Sequence, residues 1–313
     1  MKKSRIILTM VAIISVMALS CKKTPAPTAE IFASIDGYTV TFNPTVTDVS
    51  TYAWDFGDGE TSTQIRPEHT YALSGTYTVT LVVKGEGGEA TATKEITIAA
   101  SLLEMLTGGE TATNGKTWIM DRAYSVGDGG GPVMAPPYAL AVPSAENVLD
   151  MFGLGAEYDN EYTFFYDGRY TVNPKNGNVL AAAVYASATS TVIEGTISWT
   201  VALCAATWDA PASATWALHT TDLVVDAIGD PNDTNVPPLH ENVTIQGKNW
   251  ISLSGGGYFG IMDFPSTAQF VIDEITPTKM RATLFVCAYS DNGGDPMYNM
   301  MPSNMFHLTY IKK

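Results

Sequence analysis

Apolar and polar residues alternate with a period of two along most of this chain, the pattern of half-buried strands. Between Glu30 and Ala99 the runs Thr39-Val40-Thr41-Phe42, Tyr77-Thr78-Val79-Thr80-Leu81-Val82-Val83 and Glu95-Ile96-Thr97-Ile98 are separated by turn residues, among them Asp58-Gly59. That spacing predicts a β-sandwich over 30–99. Ser101–Leu106 then predicts a helix of one to two turns, closed by Gly108-Gly109. A domain joint is placed at 100–115. From 116 to 313 the pattern is again β. Trp118-Ile119-Met120-Asp121 reads as a strand, and 161–172 as a hairpin around Asp167-Gly168. Thr196–Leu203 alternates, Asn249–Leu253 and Tyr258–Met262 flank three glycines, and Gln269–Ile272, Met280–Val286 and Phe306–Ile311 complete the set. The expected class is all-β. For the second half, an antiparallel β-sandwich or jelly-roll and a closed lipocalin-like barrel both fit.

The first twenty residues break this pattern. Lys2, Lys3 and Arg5 precede a mostly apolar run, Ile6–Leu19, that ends at Cys21. This reads as an export signal. At ~1.5 Å rise per residue the run is shorter than the ~30 Å hydrocarbon layer, so a transmembrane anchor is the weaker reading. Residues 21–29, with Lys22-Lys23 and two prolines, read as a stiff tether. Cys21 resembles the acylated cysteine of bacterial lipoproteins. The resemblance implies a lipid anchor and an outer-membrane lipoprotein at the cell surface, with the periplasmic face as the alternative. Without acylation the chain reads as a secreted protein with a free Cys21.

The segment Trp54-Asp55-Phe56-Gly57-Asp58-Gly59, followed by Pro67-Glu68-His69-Thr70-Tyr71 and Gly75-Thr76-Tyr77-Thr78-Val79, closely resembles the PKD family, an Ig-like domain of secreted and surface proteins. The resemblance implies a spacer or protein-contact module without chemistry of its own. Asp55 and Asp58 read as turn carboxylates capping backbone N–H groups, with Trp54 between the sheets and Tyr71 bonded across a corner. His69 reads as structural. In the second half, Leu106-Thr107-Gly108-Gly109, Lys116–Asp121 and Tyr158–Phe164 resemble the C-terminal part of PKD-bearing lipoproteins grouped with starch-utilisation-type surface glycan-binding proteins. That implies a polysaccharide or oligosaccharide partner, and an envelope transporter or other surface proteins as neighbours. Asp121-Arg122-Ala123-Tyr124 and Pro136-Pro137-Tyr138 stand where those relatives carry other aromatic loops.

Charge and candidate chemistry narrow the function. With 17 Lys+Arg against 32 Asp+Glu, the net charge of −15 excludes nucleic acid as a partner. Gly115-Lys116-Thr117 lacks phosphate-loop spacing. Four scattered histidines, with neither HExxH nor GxSxG, argue against an enzyme and predict no cofactor. Sugar sites pair aromatic faces with a few polar groups, so the glycan-binding candidates are Trp208, Asp209, Trp216, Tyr185 and Tyr258, led by Trp208-Asp209 before Pro211. Trp118, Trp199 and Trp250 read as core. A calcium-loop spacing at Asp230, Asn232, Thr234, Val236 and Glu241 has Asn235 in the glycine place, so it reads as a polar turn and no metal is expected. Cys204 and Cys287 lie opposite the apolar faces of their strands and form a possible disulfide outside the core. The function expected is a non-catalytic, lipid-anchored glycan binder. A structural envelope lipoprotein and, further off, a glycoside hydrolase are the alternatives.

Overall fold

The computed structural model describes residues 24–133, 142–228, 240–288 and 300–313. It divides into two compact units that meet between Ala99 and Ala100.

In the N-terminal unit, β1 (Thr28–Asp36), β2 (Thr39–Thr47) and, later in the chain, a short strand at Glu68–Thr70 form one sheet. The other sheet contains β3 (Thr51–Asp55) and β4 (Thr61–Ser62). With Glu68–Thr70 as β5, it is completed by β6 (Gly75–Gly85) and β7 (Gly88–Ile98), in the order β4-β3-β6-β7. The period of two sends Val79, Leu81 and Val83 inward against Phe42, Trp54, Phe56 and Tyr71. Trp54 Nε1 donates to Gln64 O at 2.9 Å, and Tyr71 Oη to Phe56 O at 3.0 Å, so both large rings are buried with their polar atoms satisfied. Gly57, at φ +82°, has no room for a Cβ, which would lie 2.7 Å from Thr78 O. Asp55 Oδ1 accepts from Gly57 N and Asp58 Oδ1 from Glu60 N, the capping roles expected of turn carboxylates.

His69 is buried, stacked on Phe56 with centroids 4.1 Å apart, and its Nε2 lies 2.7 Å from Asp58 Oδ2. Burial pushes the Asp58 carboxyl up. Hydrogen bonds from His69 and the Glu60 backbone, with the His69 charge, outweigh that and hold it below the ordinary carboxylate range. A depressed acid pKa contributes stability above the unfolded value, lost as the pH falls through the folded one. Asp58→Asn is expected to destabilise this unit by ~1–2 kcal/mol at neutral pH. Denaturant midpoints read the effect, and a variant matching wild type at pH 7 would show the pair to be dispensable.

The C-terminal unit opens with α1 (Leu102–Thr107), where Ser101 Oγ caps Glu104 N at 3.1 Å and Gly108 closes the helix in the left-handed region. Lys116 is buried and donates to Met105 O at the helix end, and burial lowers its pKa to about 8. The strands follow: β8 (Lys116–Met120), β9 (Gly129–Pro132), β10 (Val142–Pro143), β11 (Glu161–Phe164), β12 (Arg169–Asn173) and β13 (Asn178–Ala182). After α2 (Ala183–Ala188) come β14 (Leu203–Thr207), β15 (Ala214–His219), β16 (Leu223–Ile228), β17 (His240–Ile245), β18 (Asn249–Ser254), β19 (Gln269–Ile275), β20 (Lys279–Val286) and β21 (Asn304–Lys312).

Hydrogen-bond pairing runs β8-β11-β12-β15-β18-β19-β20-β21, antiparallel throughout. It then returns to the start, because Tyr310 faces Met120 and Lys312 faces Trp118 across β21 and β8. Of the two architectures open from sequence, the pairings draw the closed ring. It is filled with side chains. Trp118, Tyr162, Phe164, Tyr170, Phe270 and Tyr310 point in from the strands. The segment 258–262, expected as a strand, instead lies in the interior as an irregular plug. Phe259 meets Tyr162, Phe270 and Tyr310 at 5.1, 4.4 and 4.3 Å. Its backbone is satisfied without a ladder: Tyr162 Oη donates to Gly260 O, Tyr170 Oη to Tyr258 O, and Met262 N to Leu180 O.

Two further expectations change. Thr196–Ala202 is a turn instead of a strand. Ser198 and Leu203 bond across it, Ala202 sits at φ +55°, and the Thr196 hydroxyl bonds Ile193 O and accepts from Ala205 N. The buried strand is the uninterrupted apolar run starting at Leu203. Second, Cys204 and Cys287 are both free and fully buried, and Cys204 belongs to the barrel core. The expected bridge outside the core is not formed. Neither thiol is solvent-facing, and burial raises Cys204 to about 11. The β16–β17 ribbon covers the outside of the ring, Leu223, Val225 and Ala227 packing on Val271, Phe285 and Met305. Double-sided burial explains the continuous apolar runs in β19 and β20.

Candidate ligand-binding cleft

Most of the rings singled out in sequence are used for packing. Trp216 and Tyr258 are 8% and 4% exposed, and Trp216 Nε1 donates to Phe165 O. Neither is displayed for stacking. Trp208 is half-buried, edge-on to Tyr258 at 5.3 Å, with Asp209 exposed beside it. Tyr185, half-buried on α2, packs edge-on against Phe264 at 5.2 Å. Only Trp208 and Tyr258 are thus shown in contact. Glu241 lies exposed on β17, while Asp230, Asn232, Thr234 and Val236, like Cys21, fall outside the described residues. Trp118 is core. Trp250 is half-buried and stacked on His219 at 3.8 Å. Trp199, expected in the core, is 61% exposed at the tip of the 199–202 turn.

A concave site lies beside the seam where β8 meets β21. Its walls include Met120, Asp121, Tyr124, Asp128, Ser144, Val148, Leu149, Tyr158 and Thr309. Its volume is about 30 Å³, room for one or two water-sized groups. Tyr124 is 43% exposed at the rim. Tyr158 is buried, and its hydroxyl accepts from Leu149 N at 3.2 Å. Burial raises its pKa, so the phenol keeps a proton to donate. Asp128 is also buried, accepting from Thr309 Oγ1 at 2.7 Å and Ser125 N at 3.0 Å. Burial nevertheless pushes its carboxyl above the usual range. Asp121 Oδ1 accepts from Ala123 N at 3.0 Å, turning the chain at the mouth.

Basic side chains fasten this loop from outside the cleft. Arg122 lies 4.6 Å from the Tyr158 ring centroid and donates to Gly155 O at 3.0 Å. Lys279 Nζ is 2.7 Å from Ser125 Oγ, and Arg281 donates to Val126 O at 2.7 Å. Arg122 thereby ties the loop bearing Asp121 and Tyr124 to the 155–159 turn that bears Tyr158. Sequence reading noted the 121–124 loop only as a departure from the resembled family and singled out none of Asp121, Tyr124, Asp128 and Tyr158 as a site residue. Neither Tyr158 nor Asp128 carries a periodic signal, since one sits in a 3₁₀ turn and the other precedes β9.

A histidine–carboxylate group lies on the outer face of the ring. Asp273 Oδ2 accepts from Thr283 Oγ1 at 2.7 Å and lies 3.2 Å from His307 Nδ1, which is 2.8 Å from the Thr283 hydroxyl. Threonine and aspartate share one ring nitrogen, whereas a nucleophile–base–acid relay spans both.

Residues 24–100 match the family model of the PKD domain. The N-terminal unit is a PKD domain. Short segments of the chain are similar to collagenase ColQ1 of Bacillus cereus strain Q1 (49% identical over 41 residues, 13% of this chain) and to a microbial collagenase of Vibrio alginolyticus (54% over 48 residues, 15%). A third relative is the pre-pro-metalloprotease PrtV of Vibrio cholerae (36% over 69 residues, 21%). The chain spans only 4%, 6% and 8% of these proteins' lengths. Among solved structures, the PKD1 domain of Vibrio anguillarum Epp is 32% identical, covering 25% of this chain and 98% of that one, with a TM-score of 0.24. A carbohydrate-binding module of the β-sandwich superfamily aligns over 92% of both chains at 14% identity. Its TM-score of 0.25 is too low to bear on the fold or ligand of this protein. Among the described residues no helix is long and apolar enough to cross a membrane.

Proposed function

We propose that this protein is a non-catalytic envelope component that holds a polysaccharide or oligosaccharide in the cleft of its C-terminal barrel. The PKD domain serves as a spacer, and the acylated Cys21 as the membrane anchor. The observation that carries the reading is the cleft itself, whose lining brings together the part-exposed Tyr124 ring, the buried Tyr158 phenol and the Asp121 carboxylate around a space that admits one or two hydroxyl-sized groups. That is the composition that grips a sugar, apolar face on the ring and hydroxyls on the polar groups. Two further indoles, the exposed Trp199 in the turn before β14 and the half-buried Trp208 just after it, lie outside this lining. They offer further stacking surfaces outside the cleft.

Affinity electrophoresis of the full chain through gels containing glucans, xylans, mannans and pectins tests this. Retardation by at least one glycan is expected, with Tyr124→Ala weakening it on the order of tenfold as the stacking contact is lost. Absence of retardation in every gel would overturn the reading and leave protein contact as the role of the chain.

A further inference from the structure

The charge lining this cleft restricts which glycan can enter it, an inference that rests on the reading above. The polar lining consists of the Asp121 and Asp128 carboxyls, the Tyr124 and Tyr158 phenols and the Ser144 and Thr309 hydroxyls, and among the described residues no Lys or Arg lines the walls. Basic side chains do lie close behind the walls, Arg122 and Arg281 engaged outside the lining and Lys279 shared between Ser125 and Asp121. Arg122 reaches Gly155 O at 3.0 Å and lies 3.4 Å from both Asp150 and Asp159. Arg281 is held by Val126 O at 2.7 Å and Glu274 at 2.8 Å. Lys279 is 2.7 Å from Ser125 Oγ and 3.9 Å from Asp121. Among the described residues, five carboxylates thus surround three cations.

Recognition of a carboxylate or sulfate ordinarily rests on an available guanidinium or on a fan of backbone N–H groups. Here the side-chain donors in the lining are hydroxyls, and of these Thr309 is spent on Asp128 and the Tyr158 oxygen already accepts from Leu149 N. An anionic substituent in the cleft would lie beside Asp121 and the buried Asp128. An uncharged sugar instead offers hydroxyl protons to Asp121 and a hydroxyl oxygen to Tyr158, satisfying both without importing charge. We propose that the cleft selects uncharged polysaccharides and rejects uronate- or sulfate-bearing ones, with Asp121 as the specificity-determining residue.

The test compares the full chain, Asp121→Asn and Glu30→Gln in gels containing mixed-linkage glucan, galactomannan, polygalacturonate or carrageenan, at low salt. Asparagine preserves the turn to Ala123 N. Glu30 lies exposed on β1 of the PKD domain, so Glu30→Gln makes the same change in net charge away from the cleft. The expected result is retention on a neutral gel at least tenfold stronger than on either acidic gel. Asp121→Asn is expected to narrow that ratio at least threefold, and Glu30→Gln to leave it unchanged. Equal or stronger retention on an acidic gel would overturn the selectivity while sparing the glycan-binding reading. An identical narrowing by both variants would assign the effect to overall charge and overturn the role of Asp121. No retention on any gel would overturn both.

Discussion

Gly260→Ala is expected to cost the C-terminal unit about 3–5 kcal/mol, because two penalties fall on one atom. Gly260 sits at φ +69°, where a side chain is strained, and a Cβ there would lie 2.0 Å from Tyr310 Oη and 2.7 Å from Leu284 Cδ1. Tyr310 is fully buried, its ring 4.3 Å from Phe259, so it has no open direction in which to retreat. The plug and strand β21 must therefore shift together, or the ring opens. Gly247 provides the control. It has nearly the same conformation, φ +66°, with nothing within 4 Å of the place a methyl would take, so Gly247→Ala bears the backbone penalty alone. Thermal unfolding should show Gly260→Ala lower by on the order of 10 °C, and Gly247→Ala by a few degrees at most. Equal shifts would mean that segment 258–262 is not packed inside the ring.

The second large effect concerns pH. Asp263, next to the plug, accepts from Cys287 N at 2.6 Å and Phe264 N at 2.8 Å. Burial nevertheless raises its pKa to about 7, against those backbone hydrogen bonds. With a folded pKa above the unfolded value of 3.8, the native state binds an extra proton between those limits. Stability is therefore greatest on the acid side of this window and declines as the pH rises to 7. The loss between pH 5 and pH 8 is up to about 2.5 kcal/mol for this group. Asp128 and Glu157, also raised by burial, act in the same direction. The barrel should thus melt at a higher temperature at pH 5 than at pH 8, and Asp263→Asn should flatten most of that slope. A variant retaining the full slope would assign it to Asp128 and Glu157. A barrel more stable at pH 8 would contradict the burial of all three.

The PKD domain was legible almost residue by residue because its signature is local. Asp55 and Asp58 cap groups two residues away, and Tyr71 reaches Phe56 across one corner. The barrel was legible as a set of strands but not as a ring, since the closing pairs join residues near 118 to residues near 311 and leave no mark on periodicity. Where the reading failed, the same cause recurs. Alternation at 196–203 and the apolar run at 258–262 satisfy strand patterns. In the fold, a threonine hydroxyl claims the backbone in one segment and tyrosine hydroxyls claim it in the other. The cleft was not visible. Asp121 and Tyr124 stood in a loop read only as a departure from the resembled family, and Tyr158 reaches them only through tertiary packing. Trp216 and Tyr258 looked like display residues because sequence does not tell which side of a strand faces a filled interior.

Closure of the strand ring has a mechanical consequence. A sheet with free margins can melt by fraying inward from an outer strand, but β8 and β21 are paired to each other, so the ring offers no such starting point. Rupture must begin at a seam between neighbours. The thinnest is β12 against β15, whose ladder has two residue pairs, Arg169–Thr215 and Tyr170–Ala214, extended by Trp216 N donating to Gly168 O, and tension across the barrel would concentrate there.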